Sequence, residues 1–258
     1  MVDTSILPLL LKQLRLPSML AQWESLMQEA IEEQWSYAEY LSHLCDAEVA
    51  ARYQNRVARY IRESGLPPGK TLASFDFDSA KSVNKHKIEA LASNASWVEK
   101  ANNVVIFGPS GVGKTHLASA IGHRLIEQGV RVLFTSTTQL VQKMQKAKQE
   151  FKLPSILDKL SKASVLILDD IGYVKKDDKE TSVLFELIAE RYENSSLIIT
   201  SNQPFGEWNS IFPDNMMAVA AIDRIVHHAS IISITDQSYR KAQAGKINQL
   251  NEEGNTTE

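Results

Sequence analysis

Read from the N-terminus, the alternation of hydrophobic and polar positions changes period once along the chain. Up to about residue 65 the apolar positions recur at helical spacing, and a first helix fits 18–34. Ser36, followed three positions on by Glu39, has the form of a capping box. The helix it opens is predicted to run to Ser64, where Gly65, Pro67 and Pro68 stop it. Residues 67–80 read as a connector in which Leu72, Phe75 and Phe77 dock against the fold. Beyond Lys81, short β-rich runs at 104–107, 130–135, 164–168, 196–200 and 231–234 alternate with helical patterns at 114–128, 138–151, 179–193 and 217–228. Strands alternating with helices imply an α/β fold with a parallel five-stranded sheet flanked by helices, here preceded by a small all-α domain. The expected division is 1–68 for a helical DNA- or partner-binding domain, 69–242 for the α/β domain, and 243–258 for a polar, disordered tail.

Composition narrows the class. The chain has 258 residues, 43% of them apolar and 23% charged, which suits a globular protein able to bury a core without staples. Its single cysteine, Cys45, excludes an internal disulfide framework and a Cys-rich zinc module. The apolar patch at 6–11 has no basic segment before it and no small-residue cleavage site after it, and no run approaches the length of a membrane span. A cytoplasmic location with no membrane partner is therefore expected. With 28 basic and 31 acidic residues the net charge is −3, so nucleic-acid binding has to come from local patches.

The clearest chemistry lies at Gly108-Pro109-Ser110-Gly111-Val112-Gly113-Lys114-Thr115, a full G-x-x-x-x-G-K-[ST] phosphate loop. It follows an apolar strand and opens a helix, the context that gives the motif its meaning. Its glycines let backbone N–H groups turn inward around phosphate oxygens at a helix N-terminus. Lys114 is placed to reach the β- and γ-phosphates of ATP, Thr115 to hold Mg²⁺, and His116 is counted with the loop as cofactor-binding. The partner motif is the apolar run 165–168 ending in Asp169 and Asp170. Acids at the carboxyl end of a central strand sit where sites of open α/β sheets lie. Asp169 is assigned to the Mg²⁺ shell and Asp170 to activation of the attacking water. Asn202, at the end of another buried strand, is assigned to sensing the γ-phosphate or that water. A small-molecule kinase would share the phosphate loop, but the paired acids and Asn202 fit ATP–water chemistry better.

Four segments together resemble the AAA+ ATPases of the DnaC/IstB group: Gly108 to Thr115, Leu168-Asp169-Asp170-Ile171-Gly172, Thr200-Ser201-Asn202-Gln203 and Ala221-Ile222-Asp223-Arg224. His227-His228 and Ser238-Tyr239-Arg240 narrow the match, which covers about 70–242. Leu14-Arg15-Leu16-Pro17, the arginine-bearing helix before Pro67, and Lys70-Thr71-Leu72 ahead of Phe75-Asp76-Phe77 resemble the IstB transposition helpers more than the DnaC helicase loaders. The resemblance implies an AAA+ P-loop domain that hydrolyses ATP with Mg²⁺, while the short stretch after Arg240 leads us to expect no full C-terminal lid of the kind many AAA+ proteins carry. It further implies a homo-oligomer in which Arg224 reaches the γ-phosphate held by a neighbouring subunit, and it puts Arg240 at a nucleotide-sensing position. The implied partners are a transposase and duplex DNA bound with low sequence specificity. A DnaC-like helicase loader is the alternative.

Two segments are candidates for the nucleic-acid contact. Arg52, Arg56, Arg59 and Arg62 share one arc of the long N-terminal helix, opposite an arc of Tyr53, Val57, Tyr60 and Ile61 expected to pack. Between the second and third strands lie Lys143, Lys146, Lys148, Lys152, Lys159 and Lys162, with only Glu150 and Asp158 opposing them locally. As charge runs alone, both are equally well read as solvated faces. His227 and His228, adjacent on a helix, point too far apart to share a metal, and the four tryptophans read as anchors of the core or of interfaces.

Overall fold

Five short runs of consecutive apolar residues become the five strands of one parallel sheet: β1 (Asn103–Phe107), β2 (Val132–Ser136), β3 (Val165–Asp169), β4 (Ser196–Ser201) and β5 (Ala229–Ser233). A computed structural model describes residues 4–172, 178–210, 214–236 and 238–239, and divides the chain into two compact units, Met1–Arg59 and Tyr60–Glu258. Strand order is β2-β3-β4-β1-β5, every pair parallel. The chain leaves β1 for β2, three places away, and then returns through β3 and β4 to fill the gap. That crossover brings the carboxyl ends of β1, β3 and β4 together at one edge, where open α/β sheets bind ligands.

The helices are α1 (Leu7–Gln13), α2 (Pro17–Glu32), α3 (Tyr37–Ser64), α4 (Lys85–Ser93), α5 (Ser96–Glu99), α6 (Lys114–Glu127), α7 (Thr137–Gln149), α8 (Leu153–Ser161), α9 (Asp178–Arg191) and α10 (Asn215–Val226). Strand and helix identities follow the hydrophobic pattern, with ends shifted by one or two residues. Helices α1, α4, α5 and α8 are additions to that pattern. Helix α4 is announced only by its cap, where the Asn84 side chain accepts the Lys87 N–H at 3.1 Å, and α8 only by Pro154 in its first turn.

The α/β core is aliphatic at its centre. Val104, Val105, Ile106, Leu166, Ile167 and Leu168 are fully buried, and α6 buries Leu117, Ile121, Leu125 and Ile126. One buried cation ties the amino ends of the strands. Arg191, 2% exposed, donates to the carbonyls of Leu160 (3.1 Å), Ala163 (3.1 Å), Ser164 (3.3 Å) and Ser196 (2.8 Å). Burial lowers its pKa to about 10, so it stays charged at neutral pH.

Within the first unit, the capping box forms as expected: the Ser36 N–H donates to Glu39 at 2.7 Å and the Glu39 N–H to Ser36 Oγ at 3.3 Å. The Ser36 N–H foremost, then the Ser36 hydroxyl, which donates to the same carboxylate oxygen at 2.8 Å, lower the Glu39 pKa. The buried Glu48 of α3 accepts the N–H groups of Ser18 (2.8 Å) and Met19 (3.2 Å), and so caps the start of α2. The expected packing of the apolar arc on α3 is corrected in part: Val57 and Tyr60 are half-buried, but Tyr53 and Ile61 are exposed. Helical spacing places residues on one arc without supplying an element to cover it. Trp97 and Trp208 are buried anchors, while Trp23 and Trp35 are half-buried. The expected tail and Arg240 lie outside the described residues.

Candidate functional site

The phosphate loop springs from β1, whose five residues are all buried. Gly108 has φ +155, and a Cβ there would lie 2.5 Å from the Ile234 carbonyl oxygen, so only glycine allows the loop to leave the sheet beside that backbone. Gly113 has φ +98, and its missing Cβ makes room for the Phe75 ring, whose Cε2 lies 2.9 Å from where that Cβ would be. Lys114 opens α6 and is 6% exposed, with its Nζ donating to the Pro109 carbonyl at 2.9 Å. The ammonium is thus folded back over the loop it would share with phosphate oxygens.

The two acids enter from β3, and β4 lies between them and β1. Asp169 is held by three threonine hydroxyls. Thr115 Oγ1 donates to Oδ2 at 3.1 Å, Thr200 Oγ1 to Oδ1 at 2.6 Å, and Thr137 Oγ1 to the Asp169 carbonyl at 2.9 Å. The same Thr200 hydroxyl accepts the Asp170 N–H at 2.9 Å. Asp170 takes the left-handed conformation, φ +56, which turns it out of the strand direction and into the wall of the cavity beside the phosphate loop. Thr115 and Asp169 together offer hard oxygen donors, the set that suits Mg²⁺. Asn202 follows the last residue of β4, its Oδ1 3.0 Å from where a Cβ on Gly172 would lie. The Gly108 N–H donates to the neighbouring Ser201 carbonyl at 3.2 Å, which ties the start of the phosphate loop to the Asn202 turn.

A cavity of about 270 Å³ lies over the loop. Besides residues 110–116 and Asp170, its wall includes Lys70, Phe75, Asp76, Asp236 and Tyr239. The connector after Pro68 is therefore a strap across the nucleotide end of the sheet. His116 holds it there: its Nε2 lies 2.9 Å from the Thr71 carbonyl and 3.2 Å from Ser74 Oγ, and its ring meets Phe75 edge-on at 5.2 Å. Asp236 is fixed by the Ser82 N–H at 3.1 Å and by the Ser82 hydroxyl. The Tyr239 N–H reaches the Gly111 carbonyl at 3.2 Å. Sequence reasoning placed Phe75 as a docking residue but missed Lys70, Asp76, Asp236 and Tyr239 in this wall. The apolar pair around Asp76 was the available signal for the strap; nothing local marks Asp236.

Arg224 stands apart from this wall. It lies in the last turn of α10, with its guanidinium 5.1 Å above the Phe185 ring and Nη1 donating to the Ala220 carbonyl at 2.9 Å. Among the described residues it makes no salt bridge. His227 and His228 are both exposed, with ring centroids 4.1 Å apart, and no metal-binding cluster occurs among the described residues.

The basic segments are placed unequally. Arg52, Arg56, Arg59 and Arg62 are all exposed on α3. Arg52 is engaged with Glu48 (2.8 Å) and the Arg15 carbonyl (2.6 Å), and Arg56 covers the Tyr53 ring at 5.2 Å. Lys143 and Lys146 project from α7 into solvent. Lys148 corrects the expectation that only local acids oppose this run: it pairs with Glu186 and donates to Ser182 Oγ at 3.1 Å, both from α9. Packing supplied an acid that lies 38 residues away in sequence. No helix among the described residues is long and apolar enough to cross a membrane.

Known proteins resemble this chain over most of its length. The family model described as IstB-like ATP binding protein matches residues 9–246. An insertion-sequence ATP-binding protein of Sinorhizobium fredii is 51% identical over 243 residues, covering 94% of this chain and 82% of the relative. The ATP-binding protein of insertion sequence IS21 from Pseudomonas aeruginosa is 38% identical over 251 residues, 97% of this chain and 94% of its own. Among solved structures, DnaI superposes with a TM-score of 0.56 at 24% identity, over 67% of this chain and 96% of that one, a likeness of fold.

Proposed function

The chain belongs to the family of IstB-like ATP-binding proteins and has the AAA+ fold, and we propose that it is an ATPase that assembles on duplex DNA to serve the transposase of an insertion sequence. The observation that carries the nucleotide half is the constellation at the carboxyl edge of the sheet, in which Lys114, Thr115 and Asp170 line one cavity and the Thr115 hydroxyl bonds Asp169 beside it. Relatives named for insertion sequences support the transposition half.

In this reading the phosphate loop and Lys114 bind the β- and γ-phosphates, and Thr115 and Asp169 hold Mg²⁺, which when bound spreads the phosphate negative charge. Asp170 takes a proton from the attacking water, and Asn202 orients that water or the γ-phosphate. Arg224 acts in trans: it completes the site of a neighbouring copy and so couples nucleotide to assembly. Its position outside its own chain's cavity wall supports that role. Arg240 is proposed to sense the bound nucleotide. Residues 1–68 form the DNA- or partner-binding domain ahead of an ATPase domain at 69–242. Arg52, Arg56, Arg59 and Arg62, with Lys143, Lys146 and Lys148, meet phosphates of the DNA, which gives affinity with little sequence preference.

Light-scattering mass measured with duplex DNA tests the whole. ATP should give a large protein–DNA assembly, whereas ADP, or ATP with Lys114→Ala, should not. A mass that ignores nucleotide and DNA overturns the reading. An Arg224→Ala protein that assembles and hydrolyses ATP normally removes Arg224 from it.

A further inference from the structure

Helix α6 opens at Lys114 and carries two histidines seven positions apart, His116 and His123. Seven residues make two turns, so both lie on one face, about 10 Å apart along the axis. At that separation they cannot share a metal. Both aim the same atom at the strap. His116 Nε2 lies 2.9 Å from the Thr71 carbonyl oxygen and 3.2 Å from Ser74 Oγ, and His123 Nε2 lies 3.2 Å from the Pro67 carbonyl oxygen. A carbonyl oxygen only accepts, so each ring carries a proton on Nε2 and donates it. The two acceptors are four residues apart, and four residues span at most about 14 Å. The strap therefore has just the length to lie along two turns of α6.

Little else holds this part of the strap. Its turn is bonded to itself: the Thr71 N–H donates to Ser74 Oγ at 3.0 Å, the Ser74 N–H to Thr71 Oγ1 at 3.3 Å, and the Ser74 hydroxyl to the Gly69 carbonyl at 2.6 Å. Thr71, Ala73 and Ser74 are exposed, and Phe75 is the one buried residue of 67–76. Among the described residues, the hydrogen bonds that reach 67–75 from elsewhere in the fold are those of His116 and His123. Yet this segment puts Lys70, Ser74 and Phe75 into the wall of the nucleotide cavity, and the Phe75 ring fills the space that a Cβ on Gly113 would take. A segment with few anchors opens at low cost in free energy, so each bond that holds it counts.

We propose that His116 and His123 are positioning residues of the nucleotide site: they hold the strap, and the strap retains the nucleotide. This rests on the nucleotide half of the reading above, and it assigns His116 to the strap rather than to the phosphates. His116 has the larger share. Its acceptor adjoins Lys70 in the cavity wall and its ring meets Phe75 edge-on, whereas Pro67 lies ahead of that wall.

The test loads the full chain with Mg²⁺ and fluorescent N-methylanthraniloyl-ADP and chases it with excess ADP. His116→Ala should release the probe about fivefold faster, the scale of one lost hydrogen bond, and His123→Ala about twofold faster. Alanine is the best helix former, so neither change weakens α6 itself. His116→Gln, whose side-chain amide brings an N–H to the place of Nε2–H, should restore most of the residence time. His116→Phe keeps a ring against Phe75 without the donor and should release as fast as alanine. Amide exchange at 71–75, measured without nucleotide, should quicken in the same order as release. Wild-type release from both alanine variants overturns the proposal and leaves the nucleotide reading standing. Fast release with unchanged exchange at 71–75 also overturns it, by putting His116 on the nucleotide itself. Wild-type release from His116→Phe overturns it too, by assigning the hold to ring packing. A wild-type chain that binds no probe overturns both.

Discussion

Lys114 and Lys146 are both assigned to phosphates, and the protein treats them in opposite ways. Lys114 is 6% exposed, its ammonium 2.9 Å from the Pro109 carbonyl, in a loop whose glycine conformations are dictated by the Ile234 backbone and the Phe75 ring. Next to it, Asp169 is fixed by hydroxyls from three different elements. Lys146 is exposed on α7, with no salt bridge among the described residues. The first region has its geometry set in advance, as a reaction with a single productive alignment requires. The second offers charge without fixed geometry, which suits a polyanion whose register along the surface is not specified. Rigidity therefore marks where chemistry is read, and exposed charge marks where only affinity is needed.

The largest effect that tests this contrast should come from Thr200, which is fully buried and whose one hydroxyl serves both acids. Thr200→Val keeps the shape and removes the hydroxyl. ATP hydrolysis should slow by about 10–100-fold, the usual cost of losing an outer-shell partner, and should need more Mg²⁺ for half-maximal rate. Thr200→Ser should restore most of both. Steady-state hydrolysis against Mg²⁺ concentration measures it, and a valine variant with wild-type rate and wild-type Mg²⁺ midpoint would remove preorganisation from the account of this edge.

The same contrast explains what was legible in the sequence. The phosphate loop and the Asp169–Asp170 pair could be read because their chemistry forces residue types at fixed spacing, and apolar runs of four or five residues mark buried strands. The strap was half-legible: Phe75 and Phe77 signal docking, but that Phe75 sits on Gly113 is a contact across 38 positions, beyond any local pattern. Asp236 in the cavity wall is legible only through Ser82, 154 residues earlier, which fixes its carboxylate. Helix α8 was missed because its nine residues are fewer than the roughly 11–18 over which helical periodicity can be counted. The pairing of Lys148 with Glu186 was missed because charge runs are read along the chain while screening acts through space. Arg52 looked like a free surface arginine for the same reason.

Arg52 gives the next test, because it sits in a basic segment yet is held like a site residue. Its partner Glu48 is buried, which alone would raise the carboxyl pKa. The Arg52 guanidinium and the Met19 and Ser18 N–H groups outweigh burial and hold it below 4.5. A folded pKa lower than the unfolded one means that the contribution to stability is fully present above about pH 4.5 and is lost as pH falls through the folded value. Glu48→Gln should lower protection of the α2 amides by about 2 kcal/mol near neutral pH, the scale of charged hydrogen bonds to a buried acceptor. Amide hydrogen exchange in wild type and variant should show the gap closing as pH drops below 4.5. A gap independent of pH would return Arg52 to the loosely held class.

The smallest effects should come from the lysines, and their ranking sharpens the comparison further. If Lys143 and Lys146 each meet a phosphate, changing either to alanine should flatten the slope of log affinity against log salt by about one, with little change in any base preference. Lys148 should contribute less although it lies only two residues beyond Lys146 on the same helix, because Glu186 already neutralises much of its charge and Ser182 fixes its ammonium. Lys148→Ala should change the slope by well under one, and Glu186→Gln should steepen it by releasing the lysine toward the DNA. Equal slopes for all three lysine variants would mean that the Glu186 pair opens when DNA arrives. The surface would then answer to its total charge alone, and the position of the acid on α9 would carry no information about binding.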